Sequence, residues 1–147
     1  AIAPELLARW QASGEAVVLG ETRDVIPHLH RAHVVVLPTR LREGVPRTIL
    51  EAMACGRPVI TSDAPGCRET VADGRSGLVV PAGDVPALAR AMRAFVEDPS
   101  LVRRMGAEAR RQVCAHHDVD LVNRIILTAT GLEAEGDSRA LEREAAA

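Results

Sequence analysis

Val34-Val35-Val36-Leu37-Pro38 and, further on, Pro58-Val59-Ile60-Thr61 bracket the stretch Pro46-Arg47-Thr48-Ile49-Leu50-Glu51-Ala52-Met53-Ala54-Cys55-Gly56. The first run is β-branched and uninterrupted, so it reads as a strand buried on both faces, and Pro38 ends it. Pro46 sits where the first helical turn favours proline, at the first helical position, and Gly56 is the natural stop of a helix reaching about Cys55. Strand, helix and strand in that order favour a parallel sheet covered by helices, hence an α/β fold.

The same alternation continues outward in both directions. Upstream, 4–13 reads as a helix with Leu6, Leu7 and Trp10 on one face, 16–20 as a strand, and Asp24 as the N-cap of a short helix carrying Ile26, Leu29 and His30. Downstream of a loop at 39–45 and the strand 58–61, a short helix is expected at 68–72. The turn pair Asp73-Gly74 then leads to a strand at 78–80. Asp84 should cap a helix whose inward face is Leu88, Ala91, Met92 and Phe95, ending near Asp98-Pro99. An Arg-rich amphipathic helix follows at 100–116, and a last helix at 118–132 turns Val122, Ile125, Ile126 and Ala129 inward.

With 147 residues, 47% of them hydrophobic and 26% charged, the chain has material for one domain with a real core. Trp10 and Phe95 are its only aromatics and all 18 positive residues are Arg, so aliphatic side chains must build that core. A net charge of −2 and the scarcity of stacking aromatics exclude a nucleic-acid binder. Apolar runs fall well short of the roughly 20 residues that a membrane span requires. Cys55, Cys67 and Cys114 form no C-x-x-C, which indicates neither a disulfide framework nor a zinc site but thiols in a reducing cytoplasm. The opening Ala1-Ile2-Ala3-Pro4, without an initiator Met, suggests a fragment boundary, and 133–147 reads as a flexible tail.

Chemistry concentrates between Glu43 and Glu51, in the loop-to-helix junction Glu43-Gly44-Val45-Pro46-Arg47-Thr48-Ile49-Leu50-Glu51. Ligands of open parallel sheets bind beyond the C-terminal ends of the strands, where this loop lies. A helix starting near Pro46 aims the amides of Arg47, Thr48 and Val45, with a positive dipole end, into that crevice, which suits a phosphate. Glu51 follows about 7 Å along the axis at 1.5 Å per residue, placing a carboxylate able to accept both hydrogens of a vicinal diol. Glu43 could meet a sugar hydroxyl or tie down the loop. From spacing alone, the competing reading is a solvent-facing Glu51 and an ordinary loop charge at Glu43.

From 34 to 80 the chain resembles the donor-binding C-terminal domain of retaining GT-B glycosyltransferases of family four, the glycosyl transferases group 1. The matching words are Ala32-His33-Val34-Val35-Val36-Leu37-Pro38-Thr39, then Glu43-Gly44-Val45-Pro46, Leu50-Glu51-Ala52-Met53-Ala54-Cys55-Gly56-Arg57-Pro58-Val59-Ile60, and Gly77-Leu78-Val79-Val80-Pro81. More loosely, the resemblance runs from about 17 to 132. Asp63-Ala64-Pro65-Gly66-Cys67-Arg68-Glu69 looks like the branch that makes capsular, exopolysaccharide or lipid-linked oligosaccharide chains.

The resemblance implies a Rossmann-like domain over residues 1–132, the incomplete C-terminal half of a GT-B fold, binding a nucleotide diphosphate sugar, a UDP-sugar in the first place. It implies that Glu51 holds the ribose and that Glu43, the catalytic candidate, meets the transferred sugar. Gly44, Val45, Arg47 and Thr48 would line the phosphate and sugar, and Leu19 and Gly20 would approach the base. The implied reaction is front-face transfer with retention to a glycan or polyprenyl-linked acceptor in surface polysaccharide biosynthesis, with no cofactor and no metal. Stabilising the departing diphosphate electrostatically is its main task.

Two departures qualify this. The family places an Arg and a Lys upstream to neutralise the diphosphate, and this sequence has no Lys; losing one such stabiliser costs on the order of 10²–10³ in rate. The N-terminal acceptor domain is also missing, so these 147 residues alone are expected to be inactive. The alternative is a truncated, non-catalytic interaction module. His28 and His33 match no functional position and read as surface or packing residues, and His117 stands where many relatives carry Phe. Arg103, Arg104, Arg110 and Arg111 form a basic stripe, a solvated face or, alternatively, a peripheral contact with an anionic membrane on its cytoplasmic side.

Overall fold

The computed structural model describes residues 2–42 and 44–132. Glu43 and the expected tail at 133–147 lie outside the described residues. Strands β1 (Val35–Leu37), β2 (Val59–Ser62) and β3 (Gly77–Val80) form a parallel sheet in chain order, with Val35 opposite Val59 and Val59 opposite Gly77. Parallel strands need a crossover, and α3 (Arg47–Ala54) supplies it between β1 and β2. The other described helices are α1 (Pro4–Ala12), α2 (Ile26–Arg31), α4 (Val85–Glu97), α5 (Ser100–His116) and α6 (Val119–Thr130).

Side-chain alternation along the strands divides the core into two clusters, one on each face of the sheet. Val59 joins Ile49, Ala52 and Met53 of α3 with Ala109 and Val113 of α5. The next residue, Ile60, joins Ala91 and Phe95 of α4 with Met105 of α5. α5 therefore contributes to both faces. β3 begins at a glycine because a Cβ at Gly77 would stand 2.0 Å from the Val59 carbonyl oxygen. Asp84 caps α4, its Oδ1 accepting the Ala87 N–H at 2.8 Å, and Asp118 caps α6 through the Asp120 N–H at 2.9 Å.

Several expectations need correction. The 16–20 run is not a strand: Val17 is 80% exposed, and among the described residues β1 pairs with β2 alone, so no neighbouring strand receives it. For the same reason β1 is an edge strand, half-buried, with Val36 exposed instead of covered on both faces. The segment 68–72 makes successive turns, not a helix. Pro46 is the N-cap of α3, with extended backbone at ψ 123°, so the helix itself starts at Arg47, one residue after the expected proline. Asp24 bonds the Ile26 N–H at 3.1 Å, but the N-cap of α2 is Val25.

Met92 stays about half exposed, lining an open cleft beside Phe95, and α6 buries none of its residues, leaving Val122, Ile125 and Ile126 exposed. No helix among the described residues is long and apolar enough to cross a membrane.

Candidate functional site

The junction after β1 is held from beneath by β2. Thr61 and Ser62 are fully buried, and their hydroxyls donate to backbone carbonyls of the preceding strand and loop: Thr61 Oγ1 to Leu37 at 2.9 Å, and Ser62 Oγ to Thr39. Thr39 Oγ1 in turn accepts the Leu41 N–H at 3.0 Å. Two polar side chains in the most buried strand are thus spent on fixing where the loop leaves the sheet.

α3 rises from this loop. Its buried face, Ile49, Ala52 and Met53, packs on the sheet and on α5, which fixes the helix axis. The Ile49 and Leu50 amides both bond the Pro46 carbonyl, at 3.0 and 3.3 Å. The Arg47 and Thr48 amides precede the first intrahelical bond, and no side chain of the N-cap turns back to them. One turn on, Glu51 is 26% exposed at its side chain, and its Oε1 accepts a 2.7 Å hydrogen bond from Nε of Arg47, whose own side chain is 89% exposed.

Thr48 and Glu51 form one wall of a cavity of about 250 Å³. The facing wall comes from Leu19, Gly20 and Thr22 and from Val25, His28 and Leu29 at the start of α2. Gly20 has φ 72°, a left-handed backbone that glycine adopts without cost, and it bends the chain alongside the cavity. Four expected site residues, Leu19, Gly20, Thr48 and Glu51, are therefore brought together, and Arg47 joins them through its bond to Glu51. Gly44 and Val45 lie exposed in the loop and do not line this cavity. Glu43 is outside the described residues.

Sequence reasoning missed Thr22, Val25, His28 and Leu29 as walls. The three-to-four spacing of Val25, His28 and Leu29, which gives them a common face, was the available signal. His28, expected as a surface or packing residue, is half-buried on that wall.

A larger apolar cleft of about 710 Å³ lies on the α4 side of the sheet, among Val34, Val36, Ile60, Met92 and Phe95. Its lining has few groups that could orient a polar ligand. The smaller cavity combines a carboxylate, a hydroxyl and a helix start, which is the chemistry a diol with an attached anion needs.

A family model described as glycosyl transferases group 1 matches residues 3–98. Over 119 residues the chain is 38% identical to the lipopolysaccharide core biosynthesis mannosyltransferase LpcC of Rhizobium leguminosarum bv. viciae, covering 79% of this chain and 34% of that protein. Among solved structures, Anabaena HepE in complex with UDP-glucose superposes with a TM-score of 0.77 at 26% identity, covering 86% of this chain and 36% of that one. The C-terminal domain of a group 1 family protein, LpcC of Francisella tularensis, matches with a TM-score of 0.66 at 24% identity, over 78% of this chain and 62% of that one. The fold is thus the parallel-sheet architecture of a GT-B C-terminal domain, as the sequence led one to expect. The chain spans about a third of the length of the mannosyltransferase and of HepE.

Proposed function

The chain belongs to the group 1 glycosyl transferases, and from that premise we propose that it holds the nucleotide of a sugar donor, a UDP-sugar first of all, in the cavity between α3 and the 19–29 segment. The observation that carries this reading is the convergence of Leu19, Gly20, Thr48 and Glu51 on one cavity at the outlet of β1. The solved complex of HepE with UDP-glucose, a protein of the same fold, supports it.

In this reading Glu51 accepts both ribose hydroxyls and the Leu19-Gly20 backbone borders the base. The Arg47 and Thr48 amides, strengthened by the helix dipole, take the diphosphate. Gly44 and Val45 meet the transferred sugar, and Glu43 is the catalytic candidate. Transfer proceeds with retention: the bond from the sugar's anomeric carbon to the diphosphate oxygen breaks, the diphosphate leaves with the electron pair, and the acceptor hydroxyl adds on the same face, its proton passing to the departing diphosphate oxygen. The protein's work is to stabilise the developing negative charge, so the helix start matters more than any proton donor.

The acceptor is a glycan or polyprenyl-linked chain of a surface polysaccharide, in keeping with the lipopolysaccharide core biosynthesis for which the Rhizobium relative is named. It is met on a second domain, at the cytoplasmic side of the membrane. With no Lys to neutralise the diphosphate, the 147 residues alone bind donor without transferring sugar.

Calorimetric titration of the full-length protein with UDP tests the site. Replacing the charge-assisted bonds of one carboxylate should weaken binding about tenfold or more in Glu51→Ala. Equal affinity of the two proteins would remove Glu51 from the site, and transfer by the 147 residues alone would overturn the expected inactivity.

A further inference from the structure

The bond between Arg47 and Glu51 competes with a ribose for the carboxylate. A vicinal diol engages both oxygens of a carboxylate, and Oε1 of Glu51 already carries the Arg47 Nε–H at 2.7 Å. Arg47 is the first residue of α3, its side chain is 89% exposed, and Glu51 is the partner that holds it among the described residues. An exposed pair four residues apart on a helix is a weak restraint, holding its geometry by a factor of only about two, so an arriving diol can displace the guanidinium cheaply. Once released, that guanidinium is tethered one residue before Thr48, which lines the cavity, and its five donors match phosphate oxygens.

We propose that Arg47 is an exchange residue: it occupies Glu51 while the site is empty and transfers to the diphosphate when a nucleoside diphosphate enters. This rests on the donor-site reading above and adds a specificity to it. A nucleoside alone exchanges the Arg47–Glu51 bond for its own ribose bonds to Glu51 and offers the released cation no phosphate. A nucleoside diphosphate breaks the same bond and receives the released cation on its phosphates. Arg47 thereby supplies from within α3 a positive charge for the leaving group.

The test is a pair of titrations, UDP and uridine, against the full-length protein and its Arg47→Ala, Arg47→Gln and Arg47→Lys variants. Losing a charge-assisted phosphate contact should weaken UDP about tenfold in Arg47→Ala and Arg47→Gln. Uridine, freed of its competitor, should bind no more weakly and up to about twofold more tightly. Arg47→Lys, which keeps the charge without the fork, should lose less than the other two for UDP. A uridine loss equal to the UDP loss, or UDP binding unchanged in Arg47→Ala, overturns the exchange while leaving the site. Failure of the unaltered protein to bind either ligand, or indifference of both to Glu51→Ala, overturns the site and the exchange with it.

Discussion

Gly106 of α5 lies against the carbonyl of Gly56, so close that a Cβ on Gly106 would stand 2.2 Å from that oxygen and 3.4 Å from Cδ of Pro58. The loop that ends α3 and starts β2 is thereby pressed directly onto the α5 backbone. The contact sets the spacing of the helices that flank one core cluster, and so the axis along which α3 presents Thr48 and Glu51.

Gly106→Ala should therefore destabilise the protein by about 2 kcal/mol or more. Helix preference alone predicts the reverse sign, since alanine in a helix interior is worth about 1 kcal/mol over glycine. The neighbour in the overlap is backbone, which cannot swing aside as a side chain would. Denaturant unfolding, read as a lower midpoint at unchanged slope, distinguishes the two, and a midpoint equal or higher would show that α5 can lift off Gly56.

The helix caps offer a contrast between a packed and an unpacked helix. Asp84 caps α4, whose Ala91 and Phe95 are buried, so Asp84→Ala should cost the whole fold about 1 kcal/mol. Asp118 caps α6, which buries nothing. Asp118→Ala should reduce helical circular dichroism and amide protection over 119–130 while leaving the global midpoint in place. A global shift as large as that of Asp84→Ala would mean that α6 unfolds together with the core.

This contrast also explains what was legible in the sequence. Local signals were sufficient where an element carries its own boundary chemistry: Asp84, the Asp98-Pro99 pair and Asp118 delimit helices that the structure places within a residue or two of expectation. They failed where the outcome depends on a neighbour. Val17-Val18-Leu19 has the composition of a strand, but a strand exists only by pairing. Arg68 to Ala72 has helical spacing, but Gly66 at φ 88° and the Thr70 hydroxyl bonding back to the Gly66 carbonyl break the segment into turns. The α6 pattern is amphipathic, but among the described residues its apolar side stays unburied. In the site, Thr48 and Glu51 follow from the helix register, whereas the opposing wall at 19–29 depends on how the 19–25 loop and the short helix α2 dock against α3.

Acid should weaken the fold through Glu108. The hydrogen bond from Arg111, followed by the charges of Arg111 and Arg75, holds its carboxyl below the usual range. The Arg75 bond is 2.8 Å long and joins α5 to the turn before β3. A carboxyl whose pKa is depressed in the folded state binds fewer protons there than in the unfolded chain. Its contribution is present above the unfolded value of 4.5 and fades as pH falls through the lower folded value. Glu69, lowered first by Arg68, and Asp98, lowered first by Ser100, add the same sign. Unfolding midpoints between about pH 6 and about pH 3 should decline less steeply in Glu108→Gln than in the unaltered protein. A parallel decline would show that Glu108 is paired just as well in the unfolded chain.

Ser62 connects the core to the site, and its replacement should separate folding from binding. Its side chain is buried and donates to the Thr39 carbonyl at the start of the loop that delivers Gly44, Val45 and α3. Ser62→Ala removes the donor and leaves a carbonyl without that partner, a change worth about 1–3 kcal/mol when water cannot enter. Thr61 still holds Leu37, so the strand itself should remain in register. The loss should therefore appear in two places: a lowered unfolding midpoint, and a weaker UDP affinity measured under conditions where the variant is fully folded. Ser62→Thr, which keeps the hydroxyl, should restore affinity more completely than stability, because its extra methyl has to fit a position with no exposed surface. If Ser62→Ala lowers stability but binds UDP as the unaltered protein does, the loop is positioned by α3 packing and not by this bond.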